Sequence, residues 1–254
     1  MFLRIWVFAI ALLLGCSAVA SAETVQCPSA KLPPLQLPHA KRAVSQNQEL
    51  TIVALGSSST QGARASDLAH TYPAILQSEL ERALPRAHVA VLNRGVGGQD
   101  AGEELPRLER DVIAAAPTMV IWQVGANGAM RGADPEQFKR LVASGVRRLE
   151  AAGIDVVLMD NQRAPAVLAS ARHAQMDLAL ANVAAHHNAA LFSRGHLMDV
   201  WQDEGFPYAQ FLAEDGIHHN DRGYACMARA LAAAIVEGVS PEPTTTPVQA
   251  AAAR

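Results

Sequence analysis

The chain has 254 residues, a formal net charge of −3 and a mean hydropathy of +0.09. A chain of this length can enclose one sizeable hydrophobic core. Its mildly acidic charge, without a cluster of basic residues, argues against nucleic acid or an anionic lipid surface as a partner.

The amino terminus predicts export. Residues 1–14 are apolar apart from Arg4, and Ala20-Ser21-Ala22 supplies a cleavage site of small residues. Because the apolar stretch is too short to span a bilayer, we predict a signal peptide over residues 1–22 and no stable membrane insertion after its cleavage. Leu13-Leu14-Gly15-Cys16 looks like a bacterial lipobox, which would give a protein lipidated on Cys16 instead. The expected location is periplasmic or secreted.

Two segments that flank the central domain have a different composition from it. Residues 23–50 contain Pro33, Pro34 and Pro38 among polar residues, which predicts an extended lead-in lying over the domain. Residues 239–254 are rich in proline, threonine and alanine and predict a disordered tail. The folded domain is therefore expected over residues 51–238.

Cys27 and Cys226 are the two cysteines that remain after the predicted signal peptide. An even number of cysteines outside the cytoplasm permits one disulfide. On the last predicted helix, Cys226 lies about 200° around the axis from Tyr224, a predicted core residue. We therefore expect Cys226 to face away from the sheet, where a passing amino-terminal segment could meet it. The alternative is that the two are unrelated thiols, with Cys226 a small buried apolar residue.

Short apolar segments alternate with longer amphipathic ones along the domain. The short segments are apolar on both faces, as in parallel strands buried between helices. Predicted strands are residues 51–55, 88–93, 118–124, 154–159 and 189–192. Predicted helices are residues 72–84, 103–115, 135–152, 166–187 and 222–236, the last with Asn220 or Asp221 as N-cap. Repeated strand–helix units predict an α/β fold, a three-layer α/β/α sandwich with a parallel sheet of about five strands.

Segments rich in glycine and polar residues follow three of these strands and precede the last helix. They are LGSSSTQG at 55–62, NRGVGGQD at 93–100, QVGANG at 123–128 and EDGIHHN at 214–220. The carboxyl ends of parallel strands meet at one edge of a sheet, where open α/β sheets bind ligands. We therefore expect a serine, a glycine-rich turn, an asparagine and an Asp-x-x-His motif to converge on one rim.

These residues suit nucleophilic catalysis. Ser58 is a weak nucleophile that needs a base, and His218 can take its proton and return it to the leaving group. Asp215 can hold the imidazole in one tautomer. The N–H groups of Ser58 and Gly98 and the side-chain amide of Asn127 can form an oxyanion hole.

The four segments, in this order, resemble the SGNH hydrolase superfamily, also called GDSL esterases and lipases. The resemblance covers residues 51–236 and implies a flavodoxin-like sheet, no metal or other cofactor, and hydrolysis of esters or thioesters through an acyl-serine. It places the nucleophile at Ser58, oxyanion donors at Gly98 and Asn127, and the remaining pair at Asp215 and His218. The chain departs from the family pattern where Ser57 and Gly128 stand in place of the usual aspartates. We expect Ser57 and Ser59 to brace the turn.

Three functions are compatible with these residues. The first is an exported serine hydrolase that cleaves acyl or acetyl esters of small molecules or polysaccharide. The second is an O-acyltransferase that uses the same triad with a sugar hydroxyl in place of water. The third is a non-catalytic carbohydrate-binding module, which the completeness of the triad argues against.

Several other side chains are weaker candidates for a functional role. His219 is a rival base, residues 160–163 could line the pocket, and Trp201 and Phe206 could cover it. The pair at 186–187 lacks the carboxylates that a metal site would need.

Overall fold

A computed structural model describes residues 26–240, so the predicted signal peptide and all but the start of the predicted tail lie outside the described residues. Five parallel strands form one sheet in the order β2-β1-β3-β4-β5. They are β1 (Leu50–Gly56), β2 (Val89–Gly95), β3 (Met119–Gln123), β4 (Asp155–Met159) and β5 (Ala189–Phe192). All five predicted strands are confirmed to within two residues at each end.

Eleven α-helices accompany the sheet among the described residues. They are α1 (Pro38–Ser45), α2 (Ser58–Gln61), α3 (Tyr72–Ala83), α4 (Ala101–Glu104), α5 (Leu108–Asp111), α6 (Ala126–Met130), α7 (Pro135–Ala151), α8 (Pro165–Leu168), α9 (His173–His186), α10 (Arg194–Asp203) and α11 (Asp221–Val239). Single 3₁₀ turns occupy Leu68–His70, Leu105–Arg107, Ile113–Ala115 and Tyr208–Phe211. Asn220 is the N-cap of α11, because its side chain accepts from the N–H of Gly223.

Alternate residues of the strands pack into two cores, one on each face of the sheet. Ile52, Ile121 and Val157 pack in the core that includes buried residues of α3 and α11. Val53 and Val120 point the other way, into the core that includes buried residues of α7 and α9. The predicted three-layer α/β/α sandwich is therefore correct.

Four parts of the secondary structure differ from the prediction. Strand β2 is only half-buried, because it is one of the two edge strands of the sheet. The lead-in is not wholly extended, since Pro38 begins helix α1, whose Ala40 N–H donates to the buried Asp155 carboxylate at 2.8 Å. Helix 103–115 is broken, because Pro106 lacks the N–H that a continuous helix needs. Helix 166–187 is interrupted where the Ser170 hydroxyl donates to the Ala129 carbonyl at 2.6 Å.

Helix α10 was not predicted from the sequence. Its segment carries a glycine, Gly195, and no regular apolar stripe, so periodicity does not reveal it. The helix is stabilised by packing of Leu197, Met198 and Trp201 in the core, and Ser193 caps it by accepting from the His196 N–H. Among residues 26–240, no helix is both long enough and apolar enough to cross a bilayer.

The predicted Cys27–Cys226 disulfide is present, with the two Cα atoms 5.3 Å apart. It joins the start of the lead-in to α11, whose predicted core residues Tyr224 and Met227 are fully buried. The two cysteines are 199 residues apart in sequence, so the bond closes nearly the whole described chain into one loop. A long covalent loop restricts the unfolded state more than a short one.

We expect the double variant Cys27→Ala/Cys226→Ala to lose about 2–5 kcal/mol of unfolding free energy, because the unfolded chain regains the freedom that the crosslink removed. Chemical denaturation of the purified full chain measures this difference. A reductant should lower the midpoint of the wild type and leave that of the double variant unchanged. Equal midpoints for the oxidised wild type and the double variant would contradict the prediction.

Candidate active site

The loop that carries Ser58, residues 57–62, begins where β1 ends. Ser57 is the N-cap of the short helix α2, and Gly62 ends that helix with a left-handed φ of 102°. Ser57 and Ser59 are buried, whereas Ser58 is partly exposed, so of these three serines Ser58 is the one open to a substrate. As the first residue of α2, Ser58 has a backbone N–H without an intrahelical acceptor.

Gln123, the last residue of β3, holds this loop in place. Its Oε1 accepts from the N–H of Ser57 at 3.1 Å, the hydroxyl of Ser57 at 3.2 Å and the hydroxyl of Thr60 at 3.2 Å. From β2, the Asn93 side chain donates to the Thr60 carbonyl at 2.8 Å. Ser57 thus braces the turn, and the serine that replaces the family's aspartate leaves the loop well anchored.

The structure brings Ser58, His218 and Asp215 into one line of hydrogen bonds. His218 Nε2 lies 2.7 Å from Ser58 Oγ, and His218 Nδ1 lies 2.8 Å from Asp215 Oδ2. Because a carboxylate accepts, the network assigns the ring proton to Nδ1, which leaves the Nε2 lone pair facing the serine hydroxyl. The side chains of His218 and Asp215 are each 16% exposed, so the line sits just below the surface.

Asp215 is held ionised by several donors. Burial, the largest single influence, would raise its pKa, but hydrogen bonds from the His218 side chain and backbone, Arg64 and Ile217 together hold that pKa well below its ordinary value. The N–H groups of Ile217 and His218 both donate to Oδ1 at 3.0 Å, and Arg64 Nε donates to Oδ2 at 2.8 Å. The carboxylate can therefore stabilise an imidazolium formed at His218.

The glycine loop after β2, residues 96–100, lies against Ser58. A Cβ built on Gly97 would stand 3.9 Å from Ser58 Cβ and 2.8 Å from the Gln61 side-chain oxygen, so a larger residue would displace the Gln61 side chain. Gly98 has a φ of 81°, a backbone conformation that residues with a Cβ rarely adopt. Arg131 fixes the peptide by donating to the Gly98 carbonyl at 2.6 Å.

Asn127 reaches the same loop from α6. Its Nδ2 donates to the carbonyl of Gln99 at 2.7 Å, which uses one of the two amide hydrogens. The second hydrogen is available to a ligand beside Gly98. The structure therefore groups Asn127 with the glycine loop, and both with the turn that carries Ser58.

Arg107 is a site-supporting residue that the sequence does not reveal, since arginine on a helical segment is usually solvated. It is only 6% exposed. Its guanidinium donates to the carbonyls of Gly56 and Arg94 and to the side-chain oxygen of Gln99, at 2.9, 2.7 and 2.6 Å. One side chain thus joins the ends of β1 and β2 to the glycine loop.

The remaining candidates lie away from the reacting atoms. His219 is fully buried, its ring Nδ1 is 3.0 Å from the Phe211 carbonyl, and burial lowers its pKa to about 3, so it cannot serve as the base. Asp160, Asn161 and Gln162 are buried beneath the rim and do not line an open pocket. Trp201 packs in the core against Phe211 and does not cover the site, contrary to expectation. No group of three or more potential metal ligands occurs within residues 26–240.

Comparison with known proteins gives a consistent result. Residues 24–241 match the model of the Non-GDSL lipase-like family. The Thioesterase 1/protease 1/lysophospholipase L1 of Escherichia coli strain K12 is 24% identical over 170 residues, which cover 67% of this chain and 76% of that protein.

Two solved structures share the fold. A two-domain esterase (CEX) active on acetylated mannans, co-crystallized with mannopentaose, superposes with a TM-score of 0.69 and 23% identity, covering 83% of this chain and 56% of that protein. This chain therefore spans little more than half the length of that esterase. The crystal structure of TesA gives a TM-score of 0.62 and 23% identity, covering 73% of this chain and 97% of TesA. The chain belongs to the Non-GDSL lipase-like family and is an SGNH-type hydrolase, an enzyme that hydrolyses ester bonds.

Proposed function

We propose that the protein is an exported serine esterase that removes short acyl groups, acetyl in particular, from a polysaccharide or a small molecule through an acyl-serine intermediate. The observation that carries this proposal is the hydrogen-bonded line from Asp215 through His218 to Ser58, with distances of 2.8 and 2.7 Å.

In the proposed reaction, His218 Nε2 takes the proton of Ser58 Oγ as that oxygen bonds to the ester carbonyl carbon. The carbonyl oxygen gains negative charge and meets the N–H groups of Ser58 and Gly98 and the amide of Asn127. His218 then returns the proton to the leaving alcohol as the C–O bond breaks. Water, activated by the same imidazole, attacks the acyl-serine and releases the acid.

The preference for short acyl groups has two supports. A related fold belongs to an esterase active on acetylated mannans. A cavity of about 850 Å³ that could have held a long acyl chain is lined by Asp155 and Ala189, at the amino ends of β4 and β5. A five-residue strand is about 16 Å long. This cavity therefore lies about one strand length from Ser58, at the opposite edge of the sheet.

Export is supported by two independent features. The sequence of residues 1–22 has the composition of a signal peptide. A disulfide joins Cys27 to Cys226, and such bonds persist in oxidising compartments.

A fluorophosphonate probe is expected to label Ser58, because this hydroxyl has both a base and oxyanion donors. Ser58→Ala should abolish labelling and lower kcat by about 10³-fold or more. Mass spectrometry of the labelled peptide locates the adduct, and Ser66→Ala, which removes an exposed hydroxyl from the same segment, is the matched control. Adducts on Ser57 or Ser59 would refute the assignment.

Asn127→Ala is expected to lower kcat by about 10²-fold to 10³-fold with little change in KM, because the amide acts on charge that develops in the transition state. Steady-state kinetics give the two constants, and thermal unfolding shows whether loss of the bond to Gln99 has altered the fold. If KM alone changes, Asn127 binds substrate instead.

A panel of p-nitrophenyl esters of graded acyl length tests the substrate class, with acetylated mannan and xylan alongside. We expect the highest kcat/KM for the acetyl ester, a fall with each added pair of carbons, and acetate release from the polysaccharides. A kcat/KM that rises with acyl length would replace this proposal with a long-chain esterase or thioesterase. Product analysis with a sugar acceptor separates hydrolysis from acyl transfer, since only transfer yields an acylated sugar.

A further inference from the structure

Arg194, at the start of α10, is a buried cation with an unusual set of partners. It is fully buried, and within residues 26–240 its guanidinium forms hydrogen bonds to uncharged oxygens and no ion pair. It donates through Nε and Nη2 to the backbone carbonyl of Asp160, at 3.1 and 2.9 Å, and through Nη2 to Gln162 Oε1 at 2.6 Å. A buried charge is costly to the fold, so its binding to a neutral amide calls for an explanation.

The cation determines which way the Gln162 amide points. An arginine can only donate, so the atom of the amide that faces Arg194 must be the oxygen. The nitrogen must then face the other way, and Nε2 donates to the backbone carbonyl of Ile217 at 2.8 Å. Gln162 is itself buried, so water does not compete for either atom.

The Ile217 carbonyl belongs to the peptide unit that leads into the catalytic histidine. The N–H of that same unit, on His218, donates to Asp215 Oδ1 at 3.0 Å. The peptide between Ile217 and His218 is therefore held from both sides, by Gln162 at its oxygen and by Asp215 at its nitrogen. The His218 side chain is attached to the Cα at the end of this peptide unit. Rotation of the peptide would therefore move the imidazole relative to Ser58.

We propose that Arg194 and Gln162 are positioning residues, which clamp the Ile217–His218 peptide and so keep His218 Nε2 within hydrogen-bond distance of Ser58 Oγ. This inference rests on the proposed function of Ser58, His218 and Asp215. In this arrangement, the buried Arg194 guanidinium fixes the orientation of the Gln162 amide, and that amide holds the Ile217–His218 peptide.

Gln162→Glu is the sharpest test. The carboxylate keeps the size of the side chain and strengthens the bond to Arg194, but it has no N–H to donate and turns an oxygen toward the Ile217 carbonyl. We expect kcat to fall about 10-fold to 100-fold, with KM within about twofold, because small misplacement of a catalytic group has effects of this size. The rate of fluorophosphonate labelling should fall in the same proportion, while the unfolding temperature is retained.

Gln162→Asn is the second variant, in case the glutamate variant does not fold. It keeps the amide but shortens the side chain by one methylene, so it cannot reach both Arg194 and Ile217. Gln175→Glu is the matched control. It makes the same amide-to-carboxylate change at an exposed glutamine whose Oε1 accepts from Arg172 at 3.1 Å, but it leaves Arg194 and the Ile217–His218 peptide untouched, so kcat should stay at the wild-type value.

Proton NMR reports on the clamp independently of activity. The hydrogen-bonded Nδ1 proton of His218, identified by its absence in His218→Ala, should shift or broaden in both Gln162 variants and stay in place in Gln175→Glu. Wild-type kcat and an unchanged resonance in folded Gln162→Glu would overturn the inference. If the wild type itself neither hydrolyses esters nor reacts with the probe, the proposed function fails, and the resonance still decides whether Gln162 holds His218.

Discussion

The reversal of strand order beside β1 is the constraint on which the site depends. Strands β2 and β3 pair with opposite edges of β1, so the loops that follow them diverge and leave a crevice at the carboxyl edge of the sheet. Ser58 leaves β1 at the centre of this crevice, with Gly98 on one side and Asn127 on the other. The segment before α11 brings Asp215 and His218 over it. Residues that are 160 positions apart, Ser58 and His218, therefore meet because of topology and not because of local sequence.

Loops at such a crevice have backbone carbonyls that the sheet does not satisfy, and this protein binds several of them with buried arginines. Arg107 joins the carbonyls of Gly56 and Arg94 on the side of the glycine loop. Arg194 joins Asp160 and Gln162 on the side of the histidine. A guanidinium presents five donors in a rigid plane, which a lysine ammonium cannot imitate. Each arginine thus orders one half of the crevice.

Much of the fold follows from local patterns in the sequence. The five strands are short apolar segments between turns, and parallel pairing follows from their alternation with helices, so both can be predicted. Elements stabilised mainly by distant contacts cannot be. Helix α10 has no regular stripe and depends on its packing, and α1 begins at a proline in a segment that otherwise reads as extended.

The residues of the site also differ in whether local sequence patterns or distant contacts reveal them. Ser58, Gly98, Asn127, Asp215 and His218 stand in recognisable segments, and the structure groups them as those segments suggest. The side chains that support them stand in segments without a motif. Gln123 reads as the end of a buried strand and Arg107 as a solvated helical residue. Each acquires its role from partners more than 40 residues away, Ser57 and Gly56, which no local pattern records.

The two departures from the family pattern each have a physical counterpart in the structure. The Ser57 hydroxyl donates to Gln123, so a neutral pair anchors the loop that carries Ser58. Gly128 is buried in α6, where an added Cβ would lie 3.7 Å from Ala133 and 3.9 Å from Met176. A carboxylate at that position would be buried against apolar side chains, at a large desolvation cost. Both departures therefore leave the hydrogen-bonded line from Asp215 through His218 to Ser58 intact.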